Sequence, residues 1–360
     1  MRRLIFLISF VHGLALPAQN VKEELVQNTA FSGYVIGSAS VNNQADASKN
    51  ADMKIRLARF IVSSRIKNVE LKLQMQLNGN TSSLSSPRIV DASAEWQPWR
   101  ELKVKFGQFK RPFTFDNPTN PWNIGLGSFS QMADKLAGFN DRVGEHPSNG
   151  RDMGLQLQGD LFPAHRDGHR WLHYQVGVFN GQGINYADKN SRKDVIGGLW
   201  FCPVENLRIG AFGWTGNYVK DGVTVDRNRY AFGLSYSGKW TARAEIVFSE
   251  GHKVSDYLLS DGTIRRDELG RPSAIGSDGA DGWYVCIGAP VAPRTKLFAR
   301  WNVYRDDKTW NTARSLYELS ANHYFFTNLL LQANYAFVAD KTSTLGSYYH
   351  SLDVQLYWRF

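Results

Sequence analysis

The side chains with the clearest chemical potential in this sequence are cations that recur at every second position. Lys54 and Arg56, then Lys103 and Lys105, each flank one apolar residue, and Lys110 and Arg111 follow soon after. Successive side chains of a strand point to opposite faces, so cations at i and i+2 charge one face and leave the other apolar. Extended along the chain, that parity puts nine cations on the polar side: Lys54, Arg56, Lys72, Lys103, Lys105, Arg208, Arg243, Lys296 and Arg300. Seven acids share it: Glu70, Asp91, Glu95, Asp152, Glu245, Glu318 and Asp353. Fixed charges around a water-filled space sort ions by sign. An excess of two predicts a mild preference for anions.

Sharper chemistries fail on their surroundings. His165, His169 and His173 are four apart, the spacing of a zinc site on a helix, but Pro163 and Gly168 make the segment a turn. Ser277 to Gly282 has calcium-like spacing without a closing Glu, and reads as an exposed loop. Cys202 and Cys286 fall on separate strands and read as free thiols. No Ser-centred motif sets a His within reach, so no catalytic residue, metal or cofactor is expected.

The elements that must carry these charges are strands. Val69, Leu71, Leu73, Met75 and Leu77 alternate with Glu70, Lys72, Gln74 and Gln76, and similar runs recur to the C-terminus. A run of about ten alternating residues is the length of a tilted strand crossing a bilayer. Strands are expected at 29–41, 52–62, 68–78, 88–97, 101–109, 151–160, 170–180, 193–202, 207–215, 228–237, 239–249, 282–289, 294–304, 314–325, 328–339 and 347–360. Long and short connections alternate between them, the pattern of a transmembrane antiparallel β-barrel with its short turns on the periplasmic rim. An Arg or Lys facing lipid at mid-bilayer costs roughly 2–4 kcal/mol, so the charged face must point inward. Arg59 breaks the parity by sharing a side with Ile55 and Leu57, which predicts either a β-bulge in that strand, the preferred reading, or an interfacial Arg59 that snorkels.

Composition agrees. The 360 residues include 11 Trp, 15 Tyr, 21 Phe and 32 Gly, a profile that favours an all-β protein. The mean hydropathy of -0.37 excludes a bundle of membrane helices. Met1-Arg2-Arg3, the apolar run Leu4 to Val11 and Ala18 read as a signal peptide over 1–18, leaving a single barrel domain over 19–360. Loss of Arg2 and Arg3 lowers the net charge from +9 to +7. The pI of 9.4 points to anionic solutes or lipopolysaccharide phosphates, and not to nucleic acid, once the chain is placed in an outer membrane.

Several segments together resemble one family. They are Asp91-Ala92 through Trp96; Phe106-Gly107-Gln108-Phe109-Lys110-Arg111-Pro112-Phe113; Gly150-Arg151-Asp152-Met153-Gly154-Leu155-Gln156-Leu157-Gln158-Gly159; Gly177-Val178-Phe179-Asn180-Gly181 with Asp188, Asn190 and Lys193-Asp194; and the closing strand ending at Trp358 and Phe360. In that order they resemble the phosphate-selective porin O and P family of Gram-negative outer membranes. The resemblance implies a sixteen-stranded barrel, commonly a homotrimer, whose long third extracellular loop, here 110–150, folds inward. A ladder of arginines found in phosphate-specific members has no position-by-position match here.

The expected function is therefore passive diffusion of small anionic or neutral solutes across the outer membrane, with a mild anion preference that extends to phosphate. The expected pore-lining set is Arg56, Lys72, Lys103, Lys105, Lys110, Arg111, Arg243 and Arg300. Phe113, Phe115 and Trp122 are expected to pin the loop to the wall. The alternatives are a barrel whose long loops serve surface binding or adhesion and, behind that, a barrel enzyme.

Overall fold

The computed structural model describes residues 24–45, 50–78, 87–164 and 167–360; the expected signal peptide lies outside them, as does His165. Its strands are β1 (Thr29–Asn42), β2 (Ala51–Ile66), β3 (Val69–Gln76), β4 (Arg88–Trp96), β5 (Lys103–Lys110), β6 (Arg151–Pro163), β7 (Arg170–Phe179), β8 (Asp194–Phe201) and β9 (Leu207–Thr215). There follow β10 (Asn217–Lys220), β11 (Val223–Asp226), β12 (Asn228–Ser237), β13 (Thr241–Glu250), β14 (Gly279–Ala292), β15 (Thr295–Arg305), β16 (Ala313–Phe326), β17 (Leu329–Asp340) and β18 (Tyr348–Arg359). All but β10 and β11 form one closed antiparallel barrel of sixteen strands, each paired with its sequence neighbours, and β1 seals against β18. Closure leaves no strand edge unpaired in lipid. Phe360 completes the seam: its carbonyl accepts from Gly33 N at 3.0 Å and its N–H donates to Gly33 O at 3.1 Å.

All sixteen barrel strands stand where the alternation predicts them, with ends displaced by a few residues; β14 is the most extended, reaching from 279 to 292. The hairpin β10–β11 is an addition. Its four-residue strands are too short to leave a period in the sequence. One rim carries connections of two to six residues and the other carries connections of seven to forty. In β2 the register shifts where Ile36 and Gly37 face Leu57 and Ile55, leaving Arg56 as the bulged residue. The bulge turns Leu57 and Arg59 inward, where Arg59 is 4% exposed, while Met53 and Ile55 remain on the lipid side.

The lipid-facing surface differs between the two halves of the barrel. On the long-loop side, Tyr230, Phe248, Trp283, Trp301, Tyr317, Phe337 and Tyr348 form an aromatic girdle over β12 to β18, several in ring contact. The corresponding outward positions of β1 to β8 are aliphatic: Val41, Met53, Ile55, Leu77, Ile89, Met153, Val178 and Val195. On the short-turn side aromatics run all the way round, from Phe31 and Trp99 through Trp171 and Trp240 to Phe326 and Trp358. Aromatic side chains settle at the headgroup level, so the aliphatic sector lacks an anchor for the outer interface.

Gly107, in the Phe106-Gly107-Gln108 segment, marks a backbone constraint at the root of the long loop. Its φ is +125°, and a Cβ there would stand 2.2 Å from Ala92 O and 2.8 Å from the Ser93 Cα. An Ala here meets both a forbidden backbone angle and a backbone clash. Gly107→Ala is expected to cut the yield of folded barrel severely, read as the fraction keeping a heat-modifiable shift on gel electrophoresis. Normal folding of that variant would show that the conformation is not required.

Candidate permeation pathway

Residues 111–150 do not stand out from the rim; they pack against side chains on the face opposite to lipid. Their apolar core is Phe113, Phe115, Ile124, Leu126, Met132, Leu136 and Phe139, all buried. Phe113 meets Trp214 at 5.5 Å between ring centroids, Phe115 meets Phe212 at 5.0 Å, and Trp122 meets Tyr357 at 5.8 Å. A short helix, Gln131–Leu136, is capped by the Ser130 hydroxyl, which accepts from Ala133 N.

Polar contacts hold the same segment to β12 through β18. Glu245 accepts from the N–H groups of Phe115 and Asp116 at 2.6 and 2.8 Å. Asn322 donates to Gly125 O at 2.8 Å, Gln355 to Gly127 O at 3.1 Å and Arg300 to Ser128 O at 3.1 Å. Gln131 N donates to the Asn302 side chain at 3.1 Å. Each closes a backbone group that would otherwise be buried unpaired.

The tip is locked by buried charge. The guanidinium groups of Arg111, Arg227 and Arg229 surround the Trp214 ring at 4.9, 4.5 and 4.8 Å from its centroid. Arg111 pairs with Asp152 at 2.9 Å and Glu145 at 3.1 Å, Arg227 with Asp194 at 2.6 Å and with Glu145, and Arg229 with Asp141 at 2.6 Å. The paired side chains are fully buried. Hairpin β10–β11 covers this cluster from outside, packing Tyr218, Val223 and Val225 on Val143 and Val254.

Between the loop and the barrel wall water space remains. It consists of four cavities joined by shared walls. The outermost, about 530 Å³, meets the second, about 380 Å³, at Gln131, Asp134 and Arg314. The second meets the third, also about 380 Å³, at Arg59, Lys110, Pro121 and Arg151. The third meets the innermost, about 640 Å³, at Phe115, Pro118, Asn120 and Arg208. This chain of spaces runs from the long-loop rim to the short-turn rim.

Charge along it is one-sided. Leaving aside the buried guanidinium of Arg111, the three inner cavities are lined by ten cations: Arg56, Arg59, Lys72, Lys105, Lys110, Arg151, Arg208, Arg243, Lys296 and Arg314. Two acids, Asp91 and Asp134, line the same spaces. Asp91 is shared by Arg151 at 2.6 Å and Lys72 at 3.2 Å. Arg59 is held by neutral groups, Gln76 at 3.4 Å, Gln74 at 3.2 Å and the Tyr34 hydroxyl, and its buried Nε has no partner. Lys110 donates to the carbonyls of Asn117 and Thr119 and lies over the rings of Phe129 and Phe139. Among the described residues neither Arg59 nor Lys110 is paired with an acid.

The expected site residues therefore divide. Arg56, Lys72, Lys105, Lys110 and Arg243 line the chain of cavities, with Lys105 also 3.3 Å from Glu95. The other three are tied to acids. Arg111 borders the third cavity but is fully buried, with its guanidinium in the Trp214 cluster. Arg300 is 4% exposed and fixes the loop through Ser128 while paired with Glu318 at 2.6 Å. Lys103 is paired with Asp160 at 3.2 Å near the short-turn rim, off the cavities. Arg151 and Arg314 were missing from the expected set. Arg151 has the parity of lipid-facing Met153, but it opens its strand directly after Asn149 and Gly150, both at positive φ, so alternation has not yet begun there.

Residues 33–191 match the sequence profile of the family described as phosphate-selective porin O and P. No curated protein sequence matches the chain. Among solved structures, the fold is similar to an anion-selective porin from Comamonas acidovorans, with 13% identity, a TM-score of 0.66, and coverage of 92% of this chain and 99% of that one. It is similar to OmpF of Salmonella typhi in complex with daunomycin, at 11% identity, TM-score 0.63, and 92% and 98% coverage. The outer-membrane channel DcaP of Acinetobacter baumannii gives 13% identity, TM-score 0.61, and 92% and 97% coverage. These likenesses establish the fold.

The lock can be tested by pH. Burial raises the Asp141 carboxyl pKa, but the Arg229 guanidinium outweighs that and holds it at about 2. A carboxyl depressed in the folded state stabilises above its unfolded value near 3.8 and loses that contribution as pH falls toward 2. Channel openings are expected to become larger or noisier as the bath is taken from pH 4 toward pH 2. Arg229→Ala is expected to do the same at neutral pH, since it leaves Asp141 buried and unpaired at a cost of about 3–5 kcal/mol. A variant indistinguishable from wild type at every pH would show that this pair does not hold the loop.

Proposed function

We infer that this chain, which belongs to the phosphate-selective porin O and P family and is an outer-membrane porin, passes small anions in preference to cations along the space between its long loop and the barrel wall. The observation that carries the reading is the junction at Arg59, Lys110 and Arg151, three cations where two cavities meet, with Asp91 paired to Arg151. Low-dielectric walls focus the field of such a cluster, so an anion entering the junction exchanges hydration for guanidinium and ammonium donors while a cation is repelled. The parity count of nine cations against seven acids understates this. Glu245 and Glu318 are committed to holding the loop or its anchors, and Asp152 to Arg111, so these acids face protein and not solute.

Phosphate is one solute such a junction suits, because a planar guanidinium and an ammonium both donate to phosphate oxygens. A surface-binding role would need no continuous cationic path, and a barrel enzyme would need a nucleophile beside a base. The path favours the channel.

The partners that follow are small anions within and lipid, including lipopolysaccharide, outside. One solved relative of this fold, OmpT of Vibrio cholerae, is described in a trimer form. A homotrimer built through β1 to β8 accounts for the missing girdle there, since a sector covered by a neighbouring subunit needs no interfacial anchor. Sedimentation in detergent is expected to give one species of three chain masses.

Planar-bilayer recording tests the selectivity. Under a salt gradient the reversal potential is expected to report anion preference, weaker near 1 M salt, where the Debye length is about 3 Å. Arg59→Gln combined with Lys110→Gln is expected to move the anion-to-cation permeability ratio toward unity. Cation preference in the wild type, or an unchanged ratio in the double variant, would refute the assignment.

A further inference from the structure

The innermost cavity has a lining unlike the rest of the path. It lies beneath residues 115–125 at the short-turn rim, with a volume of about 640 Å³, within the range of small-molecule sites. Its cations are Arg208, Lys296 and Arg243, and no acid lines it. Among the described residues Arg208 and Lys296 make no ion pair or hydrogen bond. Arg243 is 8% exposed; it donates to Ile124 O and keeps its buried Nε without a partner. Opposite these charges stand the rings of Trp122, Phe298 and Tyr324.

A simple inorganic anion would use the cations and leave the rings idle. We propose that this chamber is a binding station for an anion carrying an aromatic ring, such as an aryl phosphate or aryl carboxylate. The charged end engages Arg208 and Lys296, with the Arg243 Nε as a further donor, and the ring lies against Trp122 and Phe298. Desolvating the ring there gives a term that phosphate alone cannot gain. The chamber adjoins the third cavity at Arg208, so a solute leaving the constriction reaches it without crossing an uncharged stretch. The proposal rests on the channel reading for the route of entry, but not for the binding itself.

Titration calorimetry on the folded, detergent-solubilised chain separates the two. Phenyl phosphate is expected to bind several-fold more tightly than inorganic phosphate. Arg208→Gln with Lys296→Gln, both free of partners and so harmless to folding, is expected to weaken phenyl phosphate binding about tenfold or more. Equal affinity for the two phosphates, no heat at all, or an unchanged affinity in this double variant would overturn the chamber as a site. Loss of binding in Arg59→Gln with Lys110→Gln instead would place the anion at the constriction and also overturn it. Planar-bilayer conductance is read alongside: a barrel that binds phenyl phosphate as expected but conducts nothing keeps the chamber and refutes the channel.

Discussion

The selective path depends on three guanidinium groups gathered around Trp214. Arg111, Arg227 and Arg229 belong to the loop, its covering hairpin and the wall, and their acids come from the loop and from β6 and β8. Buried ion pairs add little net stability against apolar packing, but breaking one leaves an uncompensated charge and is costly. That asymmetry suits a latch. It does not make the barrel stronger; it makes alternative placements of the loop expensive. With the loop held in place, the water space is confined between it and the wall, and the cations of β2, β3 and β5 face its middle part.

A second consequence is a division of labour among charges of like sign. Arg300 and Arg243 are separated by little in sequence character, yet one is satisfied by Glu318 and loop carbonyls while the other borders a cavity and keeps a buried, unpaired Nε. The acids are sorted more strictly. Those on the lumen side are mostly consumed by amides, guanidinium groups or ammonium groups that fix structure, and the cations left over define the potential that a solute meets. Selectivity is set by this residue of unpaired charge more than by the total.

The barrel was legible because one period governs all of it. A closed sheet with lipid outside and water inside forces alternation at every strand, and the lengths of the connections record which rim each turn occupies. Arg59 was legible as a violation of the period, and the bulge at Arg56 is its cause. The site was less legible because it forms where the period stops. Arg111 and Arg151 stand at the two roots of the long loop, where turns at positive φ set side-chain direction and parity has no authority. Arg229 does obey the alternation, facing opposite to Tyr230 and Phe232, and could have been found by it. That it meets Asp141 rather than water depends on a loop fold that no periodicity encodes.

The two asymmetries, one inside and one outside, concern the same half of the barrel. The third cavity, next to the constriction, is walled by β1 to β9, and the β1 to β8 sector is the one without an outer aromatic girdle. In the proposed trimer the three paths would therefore lie toward the common axis, each behind its own wall. Packed sheets stand about 10 Å apart, and the Debye length at physiological salt is about 8 Å. Charges in separate subunits are thus at least two walls apart, farther than charges within one constriction. In that proposed assembly each subunit would keep its own path, with selectivity set by the junction within a single chain.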